Sequence, residues 1–277
     1  MDYWKERTQA NEAKAQRTAA EYAKRQRKLL LQAKKQIDNY LDYVLVQLEY
    51  GVNPISRTQL WQASKYIELK QQIEKELNQI ATQQIEDIKE ATKLVFEETL
   101  ETDLDDLLGK SQNYSIRPEA LMRQNLNSAW SGMDYSQRVW VNTNELAARL
   151  EKDISDLIVL GKSPNEIKEA IMYDFNVAYD VADRLIRTEV SYAYNQANMT
   201  AYKQADIYYI KFLPERDEKL CGRCRELANT NGGIYPIGEE PQLPIHPRCR
   251  CCYAPYIKLD AAEYKAQEKV KTLQKIK

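Results

Sequence analysis

Leu30-Leu-Gln-Ala-Lys-Lys-Gln-Ile37-Asp-Asn-Tyr-Leu41-Asp-Tyr-Val44-Leu-Val-Gln-Leu48 sets the fold class. Leu30, Ile37, Leu41, Val44 and Leu48 recur at helical spacing, so a helix here carries one apolar stripe that needs a partner surface. The helix extends backwards. From Tyr3 to Tyr50 there is no proline or glycine, and Ala, Lys, Gln, Arg and Leu, all strong helix formers, dominate. Its first part, with Ala13, Ala15, Ala19 and Ala23, is poor in large apolar residues, which predicts an arm over roughly the first thirty residues and the edge of a packed body after it. Gly51-Val-Asn-Pro54 then interrupts the pattern, and Ser56 or Thr58 suits the cap of a following helix. From Gln59 to Leu108 there is again no breaker, and Leu69, Ile73, Leu77, Ile80, Ile85, Ile88, Ala91 and Val95 hold the same spacing. Long helices of this kind are marginal alone, so they are expected to pair as hairpins, within the chain or with another protein.

Residues 109–117 read as a polar break, followed by helical patterns over 118–127, 136–159, 163–174 and 177–206. Ser163-Pro-Asn-Glu166 combines a cap, a proline at the first helical position and an acid three residues on. The character then changes. Ile207–Leu213, Ile234-Tyr-Pro-Ile237 and Cys252–Ile257 are aromatic and β-branched and read as short strands, and a charged helix is expected over 260–277. The expected fold class is mainly α with a small α+β C-terminal lobe: long N-terminal helices, a helical middle, and short strands around a Cys/His cluster. The corresponding units are a basic helical arm with the first long helix (1–50), a long helical hairpin region (51–115), a helical core (116–206), the strand-containing lobe (207–259) and the charged tail (260–277).

At 277 residues the chain is long enough for a sizeable core, and a net charge of -1 gives no global argument for a nucleic-acid partner. Locally, residues 1–40 hold ten Lys or Arg against five Asp or Glu, while Glu97–Asp106 has acids and no bases. Two explanations fit: a protein poised between an acidic and a basic surface, or ordinary solvated helix faces. The opening Met1-Asp-Tyr-Trp-Lys-Glu lacks the apolar core of a signal peptide, and no apolar run approaches the roughly 20 residues that cross a bilayer. Synthesis in the cytoplasm and no membrane partner are expected.

The sole histidine and all five cysteines lie in Cys221-Gly-Arg-Cys224…His246-Pro-Arg-Cys249-Arg-Cys251-Cys252. Cys221 and Cys224 form a knuckle whose spacing lets both sulfurs reach one metal, and His246, Cys249 and Cys251 supply further soft ligands. Four of these five residues complete the tetrahedral shell that one Zn²⁺ prefers, with no position left for substrate, so the ion is expected to be structural. Reduced thiols, or a disulfide from Cys221 to Cys249 or Cys251, remain the alternative. A redox pair of the thioredoxin kind is disfavoured because it usually opens a helix within a βαβ unit. Catalytic motifs are absent: no His-Glu-x-x-His, no phosphate-binding Gly-rich loop, no Gly-x-Ser-x-Gly, and no catalytic His-x-Glu of the zinc deaminases. Glu189 and Asp217 are conceivable acids or bases, but no catalytic residue is assigned.

Three ordered blocks resemble the phage Mu protein F-like family of minor head (head morphogenesis) proteins, which includes SPP1-type members. They are Trp130-Ser-Gly-Met-Asp-Tyr-Ser-Gln-Arg138-Val-Trp140 with Asn142 and Leu146; Ala182-Asp-Arg184-Leu-Ile-Arg187-Thr188-Glu189 with Asn195; and Asp217, Cys221, Cys224, Gly232 or Gly233, then His246-Pro-Arg-Cys249-Arg250-Cys251. The resemblance covers roughly residues 125–257 and departs from the usual ending at Cys252. It implies a non-catalytic minor capsid protein of a tailed phage or prophage. Such a protein binds the portal during procapsid assembly in the host cytoplasm and then resides in the virion, inside the head. Scaffold or major capsid protein, weak non-specific contact with double-stranded DNA, and self-association through the N-terminal helices are the further partners considered. From the residues themselves, Arg187 and Glu189 are expected to tie their helix to the Cys-rich lobe, Asp217 to receive backbone N–H groups of the knuckle turn, and Trp130 and Trp140 to be core or interface anchors. The alternatives are a zinc-containing DNA-binding protein and a nuclease- or transferase-type enzyme related to toxins.

Overall fold

A computed structural model describes residues 3–52, 54–109, 129–215, 217–218 and 220–257. The expected helix over 118–127 and the charged tail over 260–277 lie outside the described residues. Helix α1 runs from Tyr3 to Gln47 and α3 from Ser64 to Leu108, each 45 residues, with the short α2 (Arg57–Gln62) between them. Helices α4 (Tyr135–Val159) and α5 (Pro164–Gln204) form the second hairpin. After them come strand β1 (Tyr209–Leu213), helix α6 (Gly222–Asn229), strand β2 (Ile234–Pro236) and strand β3 (Cys252–Pro255). The sheet is antiparallel throughout, in the order β2-β1-β3. The mainly α architecture with a small C-terminal lobe is therefore the one expected from the sequence.

Local chemistry fixes the helix ends. Ser56, Asp134 and Ser163 each close a reciprocal capping box, with Gln59, Gln137 and Glu166 respectively, which satisfies orphan N–H groups of the first turn. Helix α4 ends in a Schellman turn: Gly161, at φ +70°, donates to Ile158 O, and Lys162 N–H donates to Leu157 O, both at 3.0 Å. Only a few residues then separate the two antiparallel helices.

In the half of the molecule away from the sheet, four long helices and Leu60 of α2 share one core. Leu30, Ile37, Leu41 and Val44 of α1 meet Leu69, Ile73 and Leu77 of α3, Leu146, Leu150, Ile154 and Ile158 of α4, and Ile167, Ile171 and Phe175 of α5. Lys168–Asp42 at 2.6 Å and Lys70–Glu151 at 2.9 Å bridge neighbouring helices at the surface. The other half is built differently. There α4 contributes only its first turns, through Tyr135 and Val139, while the sheet packs against α1 and α5 and shares a core with Phe96, Leu100 and Leu104 of α3.

Two expectations need correction. The patterns over 163–174 and 177–206 belong to one helix of 41 residues, because the residues between them carry no breaker and Phe175 simply continues the apolar stripe. The N-terminal stretch read as an arm lies packed along α3 and α5. Ala15, Ala19 and Ala23 are buried against Ala81, Ile88, Ala91 and Val95, and Tyr194 OH donates to Thr8 O at 2.7 Å. Small residues here permit close approach of helices, so the lack of large apolar side chains marked a tight seam. The charge asymmetry is partly resolved in the same way. Arg7 pairs with Asp103 at 2.9 Å and with Asp106, Lys14 with Glu98 at 2.8 Å and Arg25 with Glu90 at 3.6 Å, so part of the basic charge of α1 meets the acids of α3 within the chain, while Arg17, Lys24, Arg27, Lys28 and Lys35 stay exposed. Ala19→Leu is expected to cost about 1–3 kcal/mol in a denaturant titration, as overpacking does, whereas a free arm would leave the midpoint unmoved.

Candidate metal centre

Beyond strand β1, Cys221 caps helix α6, its sulfur accepting Cys224 N–H at 3.3 Å. The knuckle thus opens a helix, a feature not read from the sequence. Its setting is an antiparallel hairpin and not a βαβ unit, which keeps it apart from the thioredoxin arrangement. Gly233 allows the return to β2: it has φ +77°, and a Cβ there would come within 3.1 Å of Ala228 O and 3.3 Å of Phe212 O. Of the two candidate glycines, Gly233 is the one the packing requires. The loop 237–251 then brings His246, Cys249 and Cys251 back over the knuckle.

Two overlapping sets of donor atoms result. Cys221, Cys224 and His246 lie within 4.8 Å of one another, as do Cys224, Cys249 and Cys251. Cys224 is common to both. His246 Nδ1 lies 2.9 Å from Pro247 O, which can only accept, so Nδ1 carries a proton and Nε2 is the nitrogen left to bind a metal, 3.6 Å from Cys224 Sγ. Neighbouring ligands of a tetrahedral zinc are about 3.5–3.8 Å apart, given Zn–S near 2.3 Å and Zn–N near 2.0 Å, so this pair stands at ligand spacing. The cluster is consistent with a single structural zinc-binding site, and the donor chemistry fits that ion. All five cysteines are free thiols, and Cys252 belongs to neither donor set: it is buried among Ala15, Ala19 and Val190 in the seam behind the sheet. The mutual hydrogen bond of Cys249 and Cys251 lowers the pKa of Cys249 and raises that of Cys251.

The lobe is fastened to α5 by a row of polar groups on one face of that helix. Asp183 accepts from Arg187 at 2.7 Å and from Arg248 at 2.9 Å, and Thr188 Oγ1 accepts Arg248 N–H at 3.0 Å. Ser191 donates to Cys249 O at 2.9 Å, Asn195 to Cys251 O at 3.4 Å, and Tyr202 to Tyr253 O at 3.0 Å. The carbonyls of two candidate ligands are therefore held by α5. Arg187 is tied to the lobe through Asp183, and the Glu189 carboxylate accepts Trp130 Nε1–H at 3.2 Å. Trp130 also stacks on Tyr192, 4.8 Å between centroids, so it is an anchor as expected, while Trp140 is partly exposed on α4. Asp217 pairs through its carboxylate with Arg250, and its carbonyl accepts Leu220 N–H at 3.2 Å.

Burial pushes the Glu189 carboxyl up to about 7, against the indole hydrogen bond, and burial raises Glu12 on α1 to about 7 as well. Each folded-state value lies above the unfolded one near 4.5, so the native state retains these protons between the two values. Their stabilisation is complete below about pH 4.5 and is lost as pH rises through 7, by about 3 kcal/mol per group at most. With zinc kept saturating, thermal unfolding is expected to shift downward between pH 5.5 and 8.5, and Glu189→Gln to flatten that slope. An unchanged slope in the variant removes Glu189 as its source.

No family model, curated protein or solved structure matches the chain. Among the described residues no helix is long and apolar enough to cross a membrane.

Proposed function

We propose that this chain is a non-catalytic minor capsid protein of a tailed-phage or prophage head, which binds the portal during procapsid assembly and carries a zinc-stapled C-terminal lobe. The observation that supports this reading is the meeting of the three family-like sequence blocks in one place. Trp130 of the first bonds to Glu189 of the second, and Asp183 and Thr188 of the second bond to Arg248 of the third. These polar groups are spent on joining helices to lobe, which suits a rigid binding body better than a site of turnover. Three basic residues of α1 are already paired with acids of α3, and the exposed ones are interspersed with acids, so contact with packaged DNA would be weak and salt-dependent.

A second reading, a zinc-containing DNA-binding protein, draws on α6, where Arg223 and Arg225 are exposed on a helix that starts at the metal knuckle. One experiment separates the two. The purified chain is expected to co-sediment with procapsids assembled with portal and not with portal-less shells, and to leave duplex DNA unshifted at physiological salt. A sequence-dependent shift of duplex DNA without portal-dependent co-sedimentation would replace the first reading with the second.

A further inference from the structure

Five donors compete for four positions. Cys224 stands in both sets, Cys221 and His246 complete one of them, and Cys249 and Cys251 both lie within 4.8 Å of the shared sulfur. A tetrahedral ion that takes Cys221, Cys224 and His246 needs one more thiolate, so one of Cys249 and Cys251 stays outside the shell in contact with it. Cys249 and Cys251 are only 1 % and 2 % exposed, but both border a cleft. With Cys221 and Cys224 they line this solvent-open space of about 490 Å³ between the lobe and helices α1 and α5, wide enough for a small oxidant.

We propose that the thiol left out of the shell makes this zinc centre releasable by oxidation: a peroxide couples it to a neighbouring ligand sulfur, Cys224 or Cys249/Cys251, and the ion departs. The inference rests on the zinc assignment made above. The spare thiol, as thiolate, attacks one peroxide oxygen; the O–O bond breaks, hydroxide leaves and a sulfenic acid forms. A ligand thiolate then attacks that sulfur, the S–S bond forms and a second hydroxide leaves, one of the two taking up the proton first lost by the spare thiol. Overall, one thiol and one zinc-bound thiolate give up two electrons, hydrogen peroxide takes them, and a disulfide, water, hydroxide and free Zn²⁺ result. With one ligand removed, the remaining three donors hold the ion weakly. Cys252, behind the sheet, takes no part.

The test uses the full chain, purified reduced with zinc, together with Cys249→Ser and Cys251→Ser. Zinc content is read by native mass spectrometry, release under hydrogen peroxide by a chromophoric chelator, and disulfides by peptide mapping. The wild type is expected to lose its zinc as a disulfide joining Cys251 to Cys249 or Cys224, or Cys249 to Cys224, accumulates. At least one serine variant should keep one zinc, now with four donors only, and release it about tenfold more slowly or less. The proposal is overturned if every zinc-bearing variant releases at the wild-type rate, if both variants lose zinc so that no donor is spare, or if the oxidised protein is bridged only between Cys221 and Cys224. Wild-type protein free of metal after reduced purification would instead overturn the zinc assignment itself, a separate and visible outcome.

Discussion

Stripped of zinc by a strong chelator, the protein is expected to keep its long helices and lose its C-terminal lobe. The three strands of that lobe are only five, three and four residues long, and Cys224, Cys249 and Cys251 are buried in the core beneath them. Without the ion, that core holds a group of thiols whose deprotonated form has no counter-charge, and the 237–251 loop keeps only its polar fastenings to α5. Structural zinc contributes folding free energy of order 10 kcal/mol in small metal-dependent domains, far more than those fastenings supply. Circular dichroism should therefore retain its helical signal after chelation, while amide exchange in residues 209–255 accelerates towards the unfolded rate. Cys224→Ser should reproduce this without chelator, since that sulfur serves both donor sets. An apo-protein whose lobe remains protected would show that polar fastening alone suffices, and would reduce the metal to a minor stabiliser.

Phe96→Ala is expected to destabilise the protein by about 3–5 kcal/mol, the range for emptying an aromatic core position. Phe96 is fully buried near the C-terminal end of α3 and shares one core with Leu100, Leu104, Ala197, Phe212, Tyr253 and the three buried candidate ligands. The same core thus joins long helix, sheet and metal loop, and a void there should loosen all three. Denaturant midpoints give the stability loss, and faster zinc transfer to a chelator reports the coupling. A cost below about 1 kcal/mol would mean that the site collapses without penalty, which the packing against both sheet and helix argues against.

How much of this was written in the sequence depends on the kind of contact. The four-helix half was legible because its core uses large apolar residues at helical spacing, from Leu30 to Val44 and from Leu69 to Ile80, and because Ser56 and Ser163 announce helix starts. The strands were legible from their aromatic and β-branched composition. The Ala15–Ala23 seam was not, since small residues mark both exposed and closely packed helices. One signal was available and overlooked: Val190-Ser-Tyr-Ala-Tyr-Asn-Gln-Ala-Asn-Met-Thr-Ala-Tyr202 contains no charge, as befits a helix surrounded on most sides, and nearly all of it is buried. The metal donors could be named from spacing. The roles of Asp183, Thr188 and Ser191 could not, because they follow from which face of α5 the lobe docks against, a tertiary fact with no local signature.

The uninterrupted course of α5 has a mechanical consequence. At 1.5 Å per residue its 41 residues span about 60 Å, and α1 and α3 run alongside it without a break over most of that distance. Three parallel rods bonded along their length resist bending far more than one, so the molecule is a strut with a metal-clamped foot. Whatever grips the Schellman-turn end and whatever grips the sheet are held at a set separation, and a load applied at one end arrives at the other as displacement, not as slack.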